Sequence, residues 1–539
     1  MTQKHATGYF HRIYTTAGAS AAALAILLLA ASAGVAQQIA PPAQPSGQTP
    51  PAAAKPQAET HITPDQAKEL FRSVDELTKF ASDETGLPIH KEVKRTLTTR
   101  AAVEKYLVEK FNDDEDAKRM QRGEIVLKKF GLLDRDFDLK PFMLALLKEQ
   151  IAGYYDSKTK TVYMLDWIDA ETQKPVLVHE LTHALQDQHT DLEKWSDQTP
   201  SDLSHNSSED NDHLAKDELD TARTAALEGQ AMAVFVDYSL KPTGRSLIKD
   251  PEVLEQLQNQ MQGADDSPVL ARAPLLLSES LLFPYKDGLS FEQDVWMDKG
   301  RNAAFAGVLD RPPASSWEVI NPRMYEQAKP SPVLVMPDIH PLLDKTYTPY
   351  DVGQVGQLDL RILAQIFGGQ SAARQLTPAW DGGIYWAGQL KSAKTPAELG
   401  STKSVALMYL SAWKSAGSAH AFAHMYADQL GRKYSGVKLD TADKPPASEK
   451  GDEVIYTTNE GPVVITVSDK LVFVSESFDL GTARSLEDLL MNSQGTGEIR
   501  TAEVSHPAAT PAATPAGGLS TSWVRFFHSC GMMKAALLR

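Results

Sequence analysis

Residues 175–188 of the chain read PVLVHELTHALQDQ, a segment that contains the pattern His-Glu-x-x-His at His179–His183. On an α-helix each residue turns by about 100°, so the two histidines lie about 40° apart on one face. The apolar positions of the segment fall on the opposite face: Leu177, Leu181, Ala184 and Leu185. The pattern predicts an amphipathic helix over residues 175–188, with its leucines in the core and its histidine face towards a cleft.

Two imidazoles that lie side by side on a helix can bind a single Zn²⁺ at about 2.0–2.1 Å. Glu180 lies beside His179 and His183, but its side chain is angled away from the metal and towards a bound water. That position suits a general base better than a ligand. The ordinary alternative is an amphipathic helix with two exposed histidines. The apolar opposite face and the β-rich stretch just before the helix favour the metal site.

A catalytic zinc has three protein ligands and one open position, so a third ligand is needed. The chain has a single cysteine, Cys530, which excludes a cysteine cluster. His189 has the spacing of a known ligand pattern, but that pattern needs a glycine where Gln186 stands, and on an unbroken helix His189 points about 80° away from the first histidine. Glu228 is the better candidate, because an unpaired charge is costly in the otherwise small and apolar stretch 225–231. A lone glutamate on a helix surface is the alternative.

Residues near the ligands can support them from behind. Asp187 follows His183 by four residues on the same helical face, where its carboxylate can orient a ligand imidazole. A solvated acid at a helix end is an equally good interpretation of Asp187. Asp220 and Thr224 precede Glu228 by two turns and one turn, and they are weaker candidates for the same role.

Charge and composition limit the class of protein. The 539 residues contain 54 Lys and Arg against 70 Asp and Glu, which gives a net charge of −16. Such an acidic chain lacks the basic surface that binds a phosphate backbone, so nucleic acid is not an expected partner. Hydrophobic residues make up 42% of the chain, enough to bury the core of one large or two ordinary domains.

The N-terminal residues 1–36 are typical of an export signal. Lys4 and Arg12 precede an apolar run over residues 17–33, and small residues stand just before a cleavage site after Ala36. A membrane span needs about 20 apolar residues, so a cleaved signal is favoured over an uncleaved anchor helix. We therefore expect a protein exported to the periplasm or the extracellular space, with no stable membrane span after cleavage.

Proline- and alanine-rich segments flank the predicted folded region. Residues 37–60 cannot bury a core and are typical of an extended tether. Residues 501–539 comprise a second linker of this kind and a disordered tail that carries Cys530, and we assign no function to them.

The residues between these segments predict a helix-dominated α+β fold. Residues 61–150 have a mostly helical pattern with a first helix that starts at Thr63-Pro64, and residues 153–165 have the pattern of a β-hairpin. Further helices are expected over 175–188, 214–240, 402–434 and 481–492. Short strands are expected at Val454–Thr457, Val463–Val467 and Leu471–Val474, and the acidic stretch 191–213 is expected to be a solvated loop rather than a calcium site. We divide the region into residues 61–330, which hold the metal site, and a smaller α+β part, residues 331–500; both can also form one unit.

Four stretches of the chain resemble a family of exported bacterial HExxH proteins of the gluzincin, or peptidase MA-like, type. They are Ala152–Leu165, the segment HELTHALQDQ at 179–188, Ala226–Ala231 and Phe283–Tyr325. The second is quite specific, and the resemblance extends over residues 120–330 with weaker similarity to residue 495. The family has little defined biochemistry, so the resemblance bears more on the metal than on the substrate.

The resemblance implies a zincin-like metallopeptidase body with one zinc ion per chain. It implies His179, His183 and Glu228 as the zinc ligands and Glu180 as the base. It also implies that the strand Thr161–Leu165 is the sheet edge that lines the cleft, where an extended peptide can add by main-chain hydrogen bonds.

The chain departs from the family pattern at two positions. Relatives tend to have an acid where Gln230 stands, and a histidine before Pro322, where this chain has Asn321. The first departure, Gln230, affects the hydrogen bonds that can support the zinc ligands. The second removes a group that can stabilise an oxyanion or position the substrate. Both bear on whether the chain is catalytically active.

The ligand set predicts an exported zinc-dependent peptidase that acts on a peptide or protein substrate. A water held by the zinc would attack the peptide carbonyl, with Glu180 as the general base. The oxyanion needs a further donor, and the sequence does not choose among four candidates: Tyr154, Tyr155, Tyr238 and Arg223. Two alternatives stay open: a metal-binding but inactive zincin-like scaffold of the cell envelope, and a zinc hydrolase of cell-wall peptide amides. The sequence gives neither the peptide specificity nor the oligomeric state.

Overall fold

The computed structural model of the chain describes six segments: residues 61–111, 114–150, 153–196, 206–261, 268–441 and 452–494. The predicted export signal, the tether and the C-terminal tail lie outside the described residues. Helix makes up 59% and strand 17% of the structure, which confirms the prediction of a helix-dominated α+β fold. Within the described segments, no helix is both long enough and apolar enough to cross a membrane.

Helices and strands alternate irregularly along the chain. The helices are α1 (Pro64–Thr85), α2 (Arg100–Phe111), α3 (Asp114–Phe130), α4 (Leu139–Gln150), α5 (Ala170–Thr190), α6 (Leu192–Ser196), α7 (Ser207–Lys216), α8 (Leu219–Leu240), α9 (Glu252–Met261), α10 (Leu275–Lys299), α11 (Val308–Asp310), α12 (Ser316–Ile320), α13 (Pro322–Glu326), α14 (His340–Leu343), α15 (Gln357–Leu376), α16 (Pro396–Leu399), α17 (Ala416–Asp428), α18 (Leu430–Lys433) and α19 (Leu480–Ser493). The strands are β1 (Lys94–Thr98), β2 (Tyr154–Asp156), β3 (Thr161–Leu165), β4 (Tyr347–Gln354), β5 (Trp380–Leu390), β6 (Val405–Trp413), β7 (Lys438–Leu439), β8 (Asp452–Thr458), β9 (Gly461–Ser468) and β10 (Leu471–Glu476). A π-helical turn, Ala303–Gly307, precedes α11.

Capping residues fix where the first helix and the histidine-bearing helix begin. The predicted start at Thr63 is confirmed, because its side chain accepts a hydrogen bond from the Gln66 N–H while the Gln66 side chain accepts one from the Thr63 N–H. Helix α5 begins earlier than predicted, since Asp169 caps it by accepting hydrogen bonds from two N–H groups of the first turn. Pro175 therefore lies inside α5, where its missing N–H removes one hydrogen bond of the helix.

A three-stranded sheet lies beside α5, with the strands in the order β1-β3-β2. The predicted hairpin is confirmed, with β2 antiparallel to β3. Strand β1 pairs with β3 in parallel on its other side. The expectation that Thr161–Leu165 forms the sheet edge is therefore wrong, because β3 is the central strand. Strand β1 comes from a stretch with a mostly helical pattern, and its five residues, KRTLT, are too polar to indicate a strand on their own.

Helix α5 is buried on both of its faces, which corrects the prediction of an open cleft. Leu177 and Leu181 are buried as expected, but His179 and His183 are equally buried. The helix packs against α1 and α8 as well as the small sheet. Polar side chains on a helix face indicate a solvated cleft only where no other protein group can form hydrogen bonds with them. Here α8 supplies such groups.

The region after residue 330 is built around a seven-stranded antiparallel sheet in the order β4-β5-β6-β10-β9-β8-β7. The three predicted strands near residues 454–474 are confirmed as β8, β9 and β10. The helix predicted over 402–434 is wrong in its first half, because residues 405–413 form β6; the α-helices of this range are α17 and the short α18, and residues 402–404 form a 3-10 turn. Strand β6 reads VALMYLSAW and is buried on both faces, so it lacks the alternation that distinguishes a strand from a buried helix.

The acidic stretch 191–213 is more ordered than the solvated loop that we expected, as far as it is described. It contains α6 and the first part of α7, and Asp210 is buried with its carboxylate 2.8 Å from the His340 imidazole. The single helix predicted over 214–240 is two helices, because a turn at residues 217–218 interrupts it between α7 and α8.

The two parts on either side of residue 330 share one hydrophobic core, which includes residues from Leu70 to Val474. Polar contacts cross the same boundary. Arg361 on α15 forms a double hydrogen bond of 2.6 and 2.9 Å with Asp287 on α10, and the buried Lys129 ammonium lies 3.0 Å from Glu460. The shared core supports the alternative that both parts form one unit.

Candidate metal centre

Helix α8 carries Glu228 and packs between α5 and α10. It approaches α10 closely because a glycine lies on each side of the contact. A Cβ atom on Gly229 would lie 2.2 Å from the Gly288 carbonyl oxygen, and one on Gly288 would lie 2.2 Å from the Ala225 carbonyl oxygen. Only glycine permits this backbone contact. It places the turn of α8 that bears Glu228 in the interior of the molecule.

Three predicted ligands converge in this interior. The Nε2 atoms of His179 and His183 are 3.1 Å apart, and a Glu228 carboxylate oxygen lies 3.1 Å from the first and 3.6 Å from the second. A tetrahedral zinc with bonds of about 2.0–2.1 Å has its ligand atoms about 3.3–3.4 Å apart. The triangle therefore matches three corners of a zinc site. Within the described residues, these three form the one group of at least three His, Cys, Asp or Glu side chains that are close enough to hold a metal ion.

Hydrogen bonds fix the tautomer of His183. Its Nδ1 lies 2.7 Å from the Gln186 Oε1, while the Gln186 amide nitrogen donates to the Leu227 carbonyl and to the Gln230 side-chain oxygen. The amide orientation leaves an oxygen towards His183, so the imidazole must donate from Nδ1. A neutral His183 then presents the lone pair of Nε2 to the centre of the triangle.

Gln230, which we noted as a departure from the family pattern, belongs to this hydrogen-bond chain. Its amide nitrogen donates to the Ala304 and Phe305 carbonyl oxygens at 2.8 and 3.0 Å, and its oxygen accepts from Gln186. Sequence reasoning missed Gln186 as a support for a ligand. The available signal was its position three residues after His183, because such residues are neighbours on a helix surface.

Glu180 is anchored by strand β2. One carboxylate oxygen accepts a hydrogen bond of 2.9 Å from the Tyr155 N–H, and the other is buried without a hydrogen-bond partner among the described residues. Burial, followed by repulsion from Glu228, raises the pKa of the Glu180 carboxyl well above its ordinary value. A nearby divalent cation favours the ionised form and so opposes that rise.

The ligands themselves favour the protonation states that a metal needs. Burial lowers the pKa of His179, which keeps its imidazole neutral. Burial alone would raise the pKa of Glu228, but the two adjacent imidazoles lower it to about 2, so this carboxylate is ionised at neutral pH. Metal binding requires deprotonated ligands, and these two groups already meet that condition.

Asp187 does not orient a ligand imidazole, which corrects our expectation. One of its carboxylate oxygens accepts a hydrogen bond of 2.7 Å from the Tyr155 hydroxyl. The other accepts one of 2.9 Å from the Lys160 ammonium and one of 3.0 Å from the Leu192 N–H. Asp187 follows His183 on the same face, but the β2–β3 hairpin lies against that part of α5. Its carboxylate therefore fastens the hairpin to the helix.

The four candidate oxyanion donors are engaged in other contacts. The Tyr155 hydroxyl donates to Asp187, and the Arg223 guanidinium donates to the Trp195 carbonyl at 2.6 Å. Tyr154 stacks on a neighbouring ring of β3 at 4.4 Å between centroids. Tyr238 lies ten residues after the third ligand on α8, about 15 Å along the helix axis, which is too far to reach the centre.

The other predicted residues do not join the ligand triangle. His189 faces Asp310, with 3.0 Å between the imidazole and the carboxylate, as expected for a residue that is not a ligand. Asn321 donates to the Trp317 carbonyl and to the Gln357 side chain, so it joins helices of the fold. The remaining two candidates are buried on α8: Asp220 and Thr224.

The centre is enclosed by protein. The exposed fraction of His179, Glu180, His183 and Glu228 is between 0% and 1%.

No protein-family model, curated protein or solved structure matches the chain. The chemistry of the centre must therefore be argued from its own geometry.

Proposed function

We propose that the protein is an exported zinc-dependent peptidase that holds one zinc ion per chain. The observation that supports this most is the triangle of His179, His183 and Glu228, whose atom separations match a tetrahedral zinc. The imidazole–imidazole–carboxylate donor set is one that catalytic zinc sites use. Glu180 beside this set supplies a base that is not itself a ligand.

Tyr155 and Glu180 have different roles in the proposed peptide hydrolysis. Zinc, when bound, supplies Lewis acidity towards water and a carbonyl oxygen. The Tyr155 N–H holds one oxygen of Glu180 and leaves the other to accept a proton from the attacking water. Glu180 then returns that proton to the nitrogen of the leaving amine. The enclosure of the site excludes bulk water, which strengthens each of these electrostatic interactions.

The outer edge of β2 supports a peptide as the substrate. Strand β2 ends the order of the small sheet, and its Tyr155 N–H points to Glu180 rather than to β3. An extended peptide that lies along this edge would be beside the base and the ligand triangle, while the Tyr155 N–H stays with Glu180. Because the site is enclosed, the peptide reaches this edge only after a local opening of the structure.

A second candidate is a metal-binding scaffold of the cell envelope without catalytic activity. The complete burial of Glu180 favours this alternative, because a general base must reach a substrate. The substitution Glu180→Gln distinguishes the two functions, since it preserves the shape of the site and removes the base.

The test combines elemental analysis with activity assays on the purified protein. We expect about one zinc per chain, loss of the zinc in His183→Ala, and zinc retention with at least a hundredfold loss of casein hydrolysis in Glu180→Gln. The matched control is Glu171→Gln, the same substitution at an exposed position of α5. Zinc without turnover would favour the scaffold, and turnover of muropeptides alone would favour a cell-wall amide hydrolase. Absence of zinc would contradict all three functions, the peptidase included.

The export part of the proposal has its own test. Cleavage after Ala36 predicts that the mature protein begins at Gln37. N-terminal sequencing of the protein recovered from the periplasm or the medium would show this residue first. Recovery of the intact chain from the cytoplasm alone would contradict export.

A further inference from the structure

We propose that Gln186 and Gln230 form an amide relay that presets His183 as a metal ligand, so both are positioning residues. This inference rests on the metal centre of the proposed function but not on peptidase activity. The amide relay has three links: His183 to Gln186, Gln186 to Gln230, and Gln230 to the Ala304 and Phe305 carbonyls.

The direction of every hydrogen bond in the amide relay is determined by its far end. The two carbonyls can only accept, so Gln230 must turn its amide nitrogen towards them and its oxygen towards Gln186. Gln186 must then donate to Gln230, as it also does to the Leu227 carbonyl. Its oxygen is left for His183, which has to donate from Nδ1. Backbone carbonyls thus select one tautomer of a side chain on another helix.

The end of the amide relay is an unusual piece of backbone. Ala304 and Phe305 belong to the π-helical turn Ala303–Gly307, a rare conformation that often occurs at functional sites. Both carbonyls point at a single amide, so one side chain satisfies two acceptors. The relay thereby connects α5 and α8 to this turn. Gln186 and Gln230 are 0% exposed, so water does not compete for their hydrogen bonds.

A neutral relay also limits the charge of the centre. A carboxylate next to the Nδ1 of a ligand histidine makes that imidazole a more basic ligand. The links of the relay to His183 are amides, and burial raises the pKa of the Glu292 carboxyl beside Gln230 well above its ordinary value, so Glu228 is the charged member of the ligand triangle. The loss of an acid at position 230 is then compatible with metal binding.

The test is the zinc affinity of Gln186→Leu and Gln230→Leu, measured by competition with a chelator. Removal of such a partner typically weakens metal binding 10- to 100-fold, and we expect this range for Gln186→Leu. The matched control is Gln173→Leu, which removes a buried glutamine of the same helix that bonds Leu165 and Ile168 instead of a ligand. The control should destabilise the protein but bind zinc as the unmodified chain does. Equal zinc affinity in Gln186→Leu and the unmodified chain would overturn the relay.

A second measurement needs no relay variant and so does not depend on its folding. In protein labelled with ¹⁵N-histidine, the resonances of His183, identified by their absence in His183→Asn, should show a proton on Nδ1. A proton on Nε2 would overturn the proposal. If the unmodified protein binds no zinc, the metal centre itself fails; if it binds zinc and Gln186→Leu binds it equally well, only the relay fails.

Discussion

At the scale of single residues, the centre separates two acids that lie close together. The imidazoles lower the pKa of Glu228 to about 2, whereas burial and repulsion from Glu228 raise the pKa of Glu180. Pairs of acids whose environments push their pKa values apart usually have different roles. The ionised Glu228 suits a ligand, and the anchored Glu180 suits a group that gains and loses a proton.

Glu218, at the start of α8, gives a prediction for pH. Burial raises its pKa from 4.5 to about 7, so the folded protein keeps a proton there that the unfolded chain releases between pH 4.5 and 7. The contribution of this group to stability therefore falls as the pH rises through that window, by up to about 3 kcal/mol. Glu218→Gln keeps an acceptor for the Ser316 hydroxyl and removes this fall. Urea unfolding at pH 5 and pH 7 would show it, and parallel profiles for the two proteins would contradict it.

The sequence predicts the candidate ligands but not the residues that support them. His179, Glu180 and His183 form a local pattern that favours a metal site, and Glu228 is conspicuous as a charge in a small, apolar stretch. The role of Gln186 depends on what faces it from α8, which no local pattern reveals. Asp187 was misassigned for the same reason, because the hairpin that takes its hydrogen bonds comes from another part of the chain.

At the scale of elements, the contact between α8 and α10 controls where Glu228 lies. We expect Gly229→Ala to lower the free energy of unfolding by about 3 kcal/mol, because its methyl group would overlap the Gly288 backbone, which cannot move aside as a side chain can. Zinc affinity should fall as well, since Glu228 is the adjacent residue. Urea unfolding and chelator competition measure both effects.

The matched control for this substitution is Gly431→Ala, because a Cβ atom there has nothing within 4 Å. It lies in the short helix α18, where alanine is the better helix former, so we expect no loss of stability. Equal stability of the two variants would contradict the proposed role of the glycine contact.

The errors of prediction at this scale have a common cause. Strand β6 is apolar on both faces and strand β1 is short and polar, so neither shows the alternation by which strands are recognised. The expectation that β3 is a sheet edge comes from the family resemblance, and the pairing of β1 with β3 overturns it. The confirmed strands β9 and β10 are rich in β-branched residues and joined by a tight turn, which makes them predictable from local sequence.

At the scale of the whole molecule, the part that carries the candidate metal centre and one face of the large sheet share a hydrophobic core. The Arg361–Asp287 pair and the Lys129–Glu460 pair cross between them within this core. Removing one partner of a buried ion pair typically costs about 3–5 kcal/mol, so the Lys129–Glu460 pair resists separation of the two parts, and the partly exposed Arg361–Asp287 pair contributes less. Their sequence patterns suggested two units because no local pattern reports a contact between distant segments.

The shared core predicts that the protein unfolds in one cooperative transition. Circular dichroism, dominated by the helices, and tryptophan fluorescence, to which buried Trp380, Trp386 and Trp413 of the large sheet contribute, should give the same urea midpoint. Two separated transitions would contradict a single unit and restore the division near residue 330.

The central claim is that one zinc ion occupies the triangle on α5 and α8. Anomalous diffraction from crystals of the zinc-loaded protein, recorded at the zinc absorption edge, tests it most directly. We expect one peak about 2.0–2.1 Å from the Nε2 atoms of His179 and His183 and from a carboxylate oxygen of Glu228. A zinc peak at other residues, with these three side chains still hydrogen-bonded to one another, would contradict it.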